Sequence, residues 1–257
     1  MTHPVEEKQK KAYEHIQWDS DFFGIKIANL ICAPKTQQEF ESIVADLKRE
    51  SYKVCYWTFP YNNSECSIIA KNNPDKVVIN SDRVTFKANP KSLENTSSFG
   101  VTLFNKNSGV NGDLVDLACE AGLYSRFATD KRFGSQARKR LYKEWIESCV
   151  RGELADDIFV IYNQQKIAGL IAVKYGTIAK IALVAVGSEY RRQGYGDALI
   201  STAFDCAAQK GCSEIEVVTQ GDNVQAMSLY KKSGFCEIQR QKVCHIWVDA
   251  KAEKLQK

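Results

Sequence analysis

The run Ile181–Val186, IALVAV, alternates like a strand. The segment after it, SEYRRQGYGDAL (Ser188–Leu199), leads into a stripe of Leu199, Ala203, Phe204 and Ala207 at helical spacing. A strand therefore passes through a turn holding Gly194 and Gly196 straight into a helix. Glycine loses more backbone freedom on folding than any other residue, so two in three positions need a reason. A helix start presents unpaired N–H groups and the positive end of the macrodipole. Glycines there let the N–H groups close around an anion, and Arg191 and Arg192 add charge. The competing reading is a plain turn, which is the better one for an isolated Gly-x-Gly.

The surroundings of this unit give the fold class. Three β-like runs precede it: DIFVIYN, KIAGLIAVKYG and IAKIALVAV, the first two joined by a polar NQQ that suits a hairpin. After it come a strand, SEIEVVTQ, a helix, NVQAMSLYKKSG, with Asn223 as N-cap and Gly234 as stop, and FCEIQRQKVCHIWVDA as one long strand or two. Upstream, GDLVDLACEAG reads as a short helix. SQARKRLYKEWIESCVRGE reads as a long one, with Leu141, Trp145, Ile146, Cys149 and Val150 on one face and Gly152 at its end.

The order predicts an α/β (α+β) lobe over residues 111–257, a mixed sheet flanked by helices. Residues 1–110 read as a smaller α/β lobe, with strands in FFGIKIANLIC, KVCYWTFP and DKVVINSDRVTFKAN and a helix through Phe40, Ile43, Val44 and Leu47. The stretch Pro90–Gly112, rich in Asn, Ser and Gly, is expected to be a strand-bearing linker.

Composition excludes several classes of function. With 35 basic and 31 acidic residues the net charge is only +4, too balanced to indicate nucleic-acid binding. The nine cysteines are odd in number and none forms Cys-x-x-Cys, so reduced thiols in a cytoplasmic protein are expected, not disulfides or a metal site. The histidines, His3, His15 and His245, are scattered, and His245 in VCHIWV reads as a structural residue. No apolar core of a signal peptide and no membrane-spanning run is seen, and the terminal KAEKLQK reads as a solvated tail.

Two known phosphate loops do not fit. The Walker loop ends in Lys-Ser/Thr, and the dinucleotide fingerprint needs a glycine where Leu199 stands. The pattern that remains, Arg191-x-x-Gly194-x-Gly196 after an alternating strand, resembles the acetyl-CoA motif of the GCN5-related N-acetyltransferase (GNAT) superfamily. Asn223, Ala226, Leu229, Tyr230, Gly234 and Phe235 fit a second motif of that family, one helix and one strand later.

The resemblance implies a sheet splayed open after IALVAV. It implies that the loop Arg191, Arg192, Gln193, Gly194, Tyr195 and Gly196 holds the CoA pyrophosphate. Val184, Ala185 and Val186 would run along the pantetheine arm, the main chain of Val184 and Val186 pairing with it, and Asn223 would complete the site. Many relatives have glycine where this chain has Arg192 and proline where it has Ser188, so Arg192 must offer its N–H with a β-carbon present.

Acetyl transfer from a thioester to an amine needs a neutral amine, donors for the oxyanion and a proton for the leaving thiolate. The resemblance makes Tyr230 the acid, against its plain reading as a core aromatic, and the Val184 N–H a donor to the carbonyl. No general base is assigned, because TIAKIALVAV has no carboxylate and Glu214 and Glu216 lie on the next strand.

WDSDFFGIKIANL, YSRFATD, LYKEWIESCVRG and VVTQGDNVQAMSLYKKSGF resemble, more narrowly, the dTDP-fucosamine acetyltransferases. These acetylate the 4-amine of a dTDP-linked 4-amino-4,6-dideoxygalactose for surface polysaccharides. The likeness makes Ser125, Arg126 and Phe127 candidates for the acceptor side, Arg126 facing a diphosphate. An arginine salt-bridged at a helix end is the plain alternative. Another small amine, a protein N-terminus or a CoA-binding module without turnover remain as other functions. No metal, nucleic acid or membrane is implied, and an oligomer is left open.

Overall fold

The computed structural model describes residues 11–90 and 100–249; His3, residues 91–99 of the Asn-rich stretch and the terminal KAEKLQK lie outside them. The chain forms two compact units, divided at Asn80/Ser81 and again at Gln241/Lys242.

In the first unit the elements are β1 (Tyr13–His15), α1 (Gln17–Phe23), β2 (Ile27–Leu30), α2 (Gln37–Arg49), β3 (Val54–Pro60), α3 (Ser64–Asn72) and β4 (Val77–Ile79). β1 lies antiparallel to β2, and β2 runs parallel to β3 through the crossover helix α2. Thr36 caps α2 by accepting from the Glu39 N–H, while the Glu39 carboxylate accepts from the Lys35 N–H. Phe40, Val44 and Leu47 are buried as their spacing predicts. Trp57 and Phe59 of β3 complete the core with them. The first predicted strand is shorter than its apolar run, because Trp18–Phe23 is helical and Gly24, at φ 66°, ends that helix in the left-handed conformation.

The second unit holds β5 (Arg83–Ala88), β6 (Val101–Leu103), α4 (Gly112–Ala121), α5 (Arg126–Thr129), α6 (Ser135–Val150) and β7 (Asp157–Asn163). It continues with β8 (Lys166–Lys174), β9 (Ile178–Val186), α7 (Tyr195–Gln209), β10 (Glu214–Gln220) and α8 (Val224–Lys232). The last strand, β11 (Cys236–Trp247), gives Cys236–Gln241 to the second unit beside β5, and Cys244–Ile246 to the first beside β4. The second unit's strands run in the order β11-β5-β10-β9-β8-β7-β6, a mixed, mostly antiparallel sheet in which β9 and β10 are parallel. One face packs against α7 and α8, the other against α4 and α6.

The division falls earlier than residue 110 for a physical reason. β5 pairs along its whole length with β10, from Arg83–Gln220 to Ala88–Ile215, and buries Val84 and Phe86 in the α7 core. On α6, Leu141, Ile146 and Cys149 are buried as expected. Trp145 is instead partly exposed, its ring stacked on Tyr142 with centroids 6.0 Å apart. His245 is fully buried beside Tyr56, as a structural histidine should be. All nine cysteines are free thiols, with Cys32 and Cys236 exposed.

Candidate active site

β9 has two neighbours for only part of its length. Its pairing with β8 runs on to Gly169–Val186, whereas its pairing with β10 ends at Ile181–Val217. Beyond that point β10 stays with β5, so Ala182–Val186 present an open main-chain edge. The ladder also slips by one residue at Ala182, a β-bulge that puts Ala182 and Leu183 together on the α4 side. The Gly187 N–H donates to Ala168 O at 2.9 Å. Antiparallel ladders alternate, so Ala185 faces β8 while Val184 and Val186 turn their N–H and C=O groups to the open edge. Such an edge takes an extended ligand as if it were another strand.

The loop after β9 supplies the second part. Arg192 has φ 61° and Gly194 φ 87°, both left-handed. The Ala198 N–H bonds back to Gly194 O at 3.0 Å, so the amides before it form the open mouth of the fifteen-residue helix α7. The two glycines have different tasks. Gly194 is required by its φ. Gly196 answers to packing, since a Cβ there would lie 3.1 Å from Leu229 Cδ2 on α8 and would have to push that tip aside.

Arg191 does not stand as a spare charge at the mouth. Its Nε donates to Val186 O at 3.1 Å, and its guanidinium reaches Glu120 Oε2 at 2.9 Å and Gln225 Oε1 at 3.4 Å. The Ser188 N–H donates to Glu120 Oε1 at 3.4 Å. The Gln193 side chain donates to Glu189 O, and the Tyr195 ring lies 6.5 Å from that of Tyr190. Asn223 caps α8 by accepting from the Ala226 N–H at 3.2 Å. Glu120 and Gln225 were not singled out by the sequence, because their partner lies 71 and 34 residues away and neither belongs to a motif.

Tyr230 projects from α8 into the core, 3% exposed, between Phe86 and Phe235 at 5.8 and 5.7 Å. Burial pushes its phenol above the usual tyrosine range, which is already well above neutral pH. Glu214 and Glu216 both lie beside Lys87, at 2.9 and 4.0 Å, so neither is a spare carboxylate.

The segment between α4 and α6 carries the other predicted residues. Ser125 is buried and its carbonyl accepts from Ala128 and Thr129. Phe127 is buried edge-on against Phe133 at 5.1 Å, a core role. The Arg126 guanidinium lies over the Phe127 ring at 4.7 Å. From Ser125 to Lys143 there are seven basic residues and one acidic residue. Among the described residues no group of three side chains could hold a metal ion, and no helix is long and apolar enough to cross a membrane.

Residues 122–235 match the model of the Acetyltransferase (GNAT) family. An N-alpha-acetyltransferase 30 of Schizosaccharomyces pombe is 34% identical over 88 residues, 32% of this chain and 59% of that protein. The dTDP-fucosamine acetyltransferase of Escherichia coli is 31% identical over 124 residues, 47% of this chain and 52% of that one. The chain thus matches little more than half the length of these two relatives. The spore coat polysaccharide biosynthesis protein SpsD of Bacillus subtilis is 21% identical over 246 residues, covering 94% of this chain and 84% of its own. The GCN5-related N-acetyltransferase of Sphaerobacter thermophilus shares the fold with a TM-score of 0.60 at 13% identity, over 95% of this chain and 79% of that one. The open β9 edge and the left-handed loop both fall inside the segment 122–235 that is similar to the Acetyltransferase (GNAT) family.

Proposed function

We propose that the second unit transfers the acetyl group of acetyl-CoA to the amine of a nucleotide-linked amino sugar, of the dTDP-4-amino-4,6-dideoxygalactose type. The observation that carries the reading is the open edge of Ala182–Val186 running directly into the left-handed loop at the mouth of α7. Edge and loop together fit a ligand that is extended at one end and anionic at the other. Acetyl-CoA bound there supplies the thioester carbonyl that the amine attacks. The loop amides around Gly194 offset the charge of the diphosphate. The outward N–H groups of Val184 and Val186 align the arm, and that of Val184 polarises the carbonyl. Tyr230 would give its proton to sulfur as the C–S bond breaks, and the proton that the nitrogen sheds on forming the amide would restore the phenol through solvent.

The sugar nucleotide is favoured by the cationic segment Ser125–Lys143, where Arg126 would pair with the diphosphate, and by the names of the Escherichia coli and Bacillus subtilis relatives. Acetylation of a protein N-terminus is the second reading, favoured by the 34% identity to N-alpha-acetyltransferase 30. Free thiol release from acetyl-CoA, followed with a dTDP-linked 4-amino sugar and with short peptides in parallel, decides between them. Turnover with the sugar nucleotide alone supports the first reading and turnover with peptides alone supports the second. No release with any amine, despite tight CoA binding, would leave a CoA-binding module.

A further inference from the structure

The loop that follows β9 carries a conformational cost at Arg192. Arg192, with φ 61°, occupies a region that glycine enters freely and a residue with a β-carbon does not. The residue before it is held from outside at three points. Arg191 donates to Val186 O on β9, to Glu120 on α4 and to Gln225 on α8. Glu120 is the strongest of these anchors, because its carboxylate takes the charge-assisted bond from Arg191 with one oxygen and the Ser188 N–H with the other. One side chain thus holds both ends of the turn Ser188–Arg191. Its contact with Arg191 is only partly open to water, with the two side chains 30% and 37% exposed.

We infer that Glu120 is a positioning residue for the cofactor loop: through Arg191 it holds Arg192 in the left-handed conformation that keeps the loop amides turned towards an anion. The inference rests on the acetyl-CoA reading and goes beyond it, because it moves Arg191 from ligand to brace and makes cofactor affinity depend on α4. The two roles of Arg191 differ in sign. If Arg191 were a phosphate ligand, the Glu120 carboxylate would compete with the phosphate, and neutralising it would tighten binding. If Arg191 is a brace, neutralising Glu120 loosens the loop and weakens binding.

The test is a double-mutant cycle on CoA affinity by titration calorimetry, with thermal melts to verify folding, using the wild type, Glu120→Gln, Arg192→Gly and the double variant. Comparing the Glu120 effect within each Arg192 background cancels the charge lost with Arg192 itself. The expected result is a roughly 5- to 30-fold weaker Kd for Glu120→Gln when residue 192 is arginine, the cost of the left-handed conformation that the brace no longer holds. With glycine at 192 the same substitution should cost less than about twofold, because glycine adopts the left-handed conformation without the brace. Equal or tighter binding by Glu120→Gln overturns the inference, as does an equal loss in both backgrounds. If Glu120→Gln melts below the assay temperature, Glu120→Asp, which keeps the charge and shortens its reach, is read by the same two comparisons. A wild type that does not bind CoA removes the cofactor reading together with this one, whereas CoA binding that is indifferent to Glu120 removes this one alone.

Discussion

Gly194→Ala is the smallest change that asks whether the loop at the mouth of α7 is a cradle. Gly194 has φ 87°, and an alanine there costs about 1–2 kcal/mol in the left-handed region. That cost must be met somewhere. If the free loop relaxes away from φ 87°, folding is spared and binding must restore the strained conformer. The CoA Kd then rises by about 5- to 30-fold, since 1.4 kcal/mol is tenfold. If the surroundings hold the loop rigid, the cost appears as lost stability and affinity is kept. The lost stability and lost binding energy should therefore sum to about 1–2 kcal/mol, however they divide. Chemical denaturation and calorimetric titration of CoA measure the two parts. Gly196→Ala is the control, because its glycine answers to packing. Its Cβ would press on Leu229 Cδ2 at 3.1 Å, a flexible tip that gives way, so less than about 1.5 kcal/mol of stability should be lost, with affinity little changed. A sum near zero for Gly194→Ala, or a larger loss of affinity from Gly196→Ala, would refute the cradle.

Three further substitutions address the rest of the site. Tyr230→Phe keeps the ring between Phe86 and Phe235 and removes the hydroxyl, so stability and CoA affinity should hardly move while turnover falls by roughly 10²–10⁴; the assay is single-turnover thiol release with the productive amine. Arg126→Gln should raise KM for a sugar nucleotide while leaving CoA affinity as it was, and steady-state kinetics at saturating acetyl-CoA would show an unaltered KM if Arg126 only packs over Phe127. Gly122→Ala drives a methyl into the Tyr142 ring and should cost about 1–3 kcal/mol in a denaturant melt.

Much of the second unit could be read along the chain because its signals are local. The hairpin at NQQ needs only a short polar link, and Gln164 supplies the left-handed residue at φ 56°. The β9–loop–α7 unit follows from alternation, glycine and helical spacing within thirty residues. What the sequence hid is what depends on distant partners. β5 looks like one more strand of the first lobe until β10 pairs with it, and their pairing joins residues such as Val84 and Thr219, whose contact no periodicity announces. α3 escaped notice because SECSIIAKN shows no clear stripe, though Asn63 caps it by accepting from the Cys66 N–H at 2.9 Å. The role of Arg191 was hidden for the same reason. Its charge suggested an anion, and only the fold brings Glu120 to it.

The two readings of Tyr230 are physically compatible. A phenol that donates a proton to a thiolate must hold that proton until the C–S bond breaks, and a hydrated tyrosine already does so at neutral pH. Burial adds to this by raising the pKa further, which makes Tyr230 a weaker acid in the resting protein. A weaker acid is useful only if the base that takes the proton is itself poorly solvated. A thiolate formed on the open β9 edge, beside the core residues Ile181 and Val217, would be in that position. Desolvation raises the proton affinity of both partners together, so the transfer stays near balance while the proton is kept from bulk water. If Tyr230 has the proposed role, its packing against Phe86 and Phe235 would tune the acid, and a variant that opens this core should change the pH dependence of turnover. Phe86→Ala is that variant. With water admitted to the Tyr230 ring, the phenol pKa should fall back towards about 10. The alkaline limb of the kcat profile should move to lower pH with it, provided the variant's melt confirms that it is folded. An alkaline limb that stays in place as the core is opened would separate the tyrosine's packing from its chemistry.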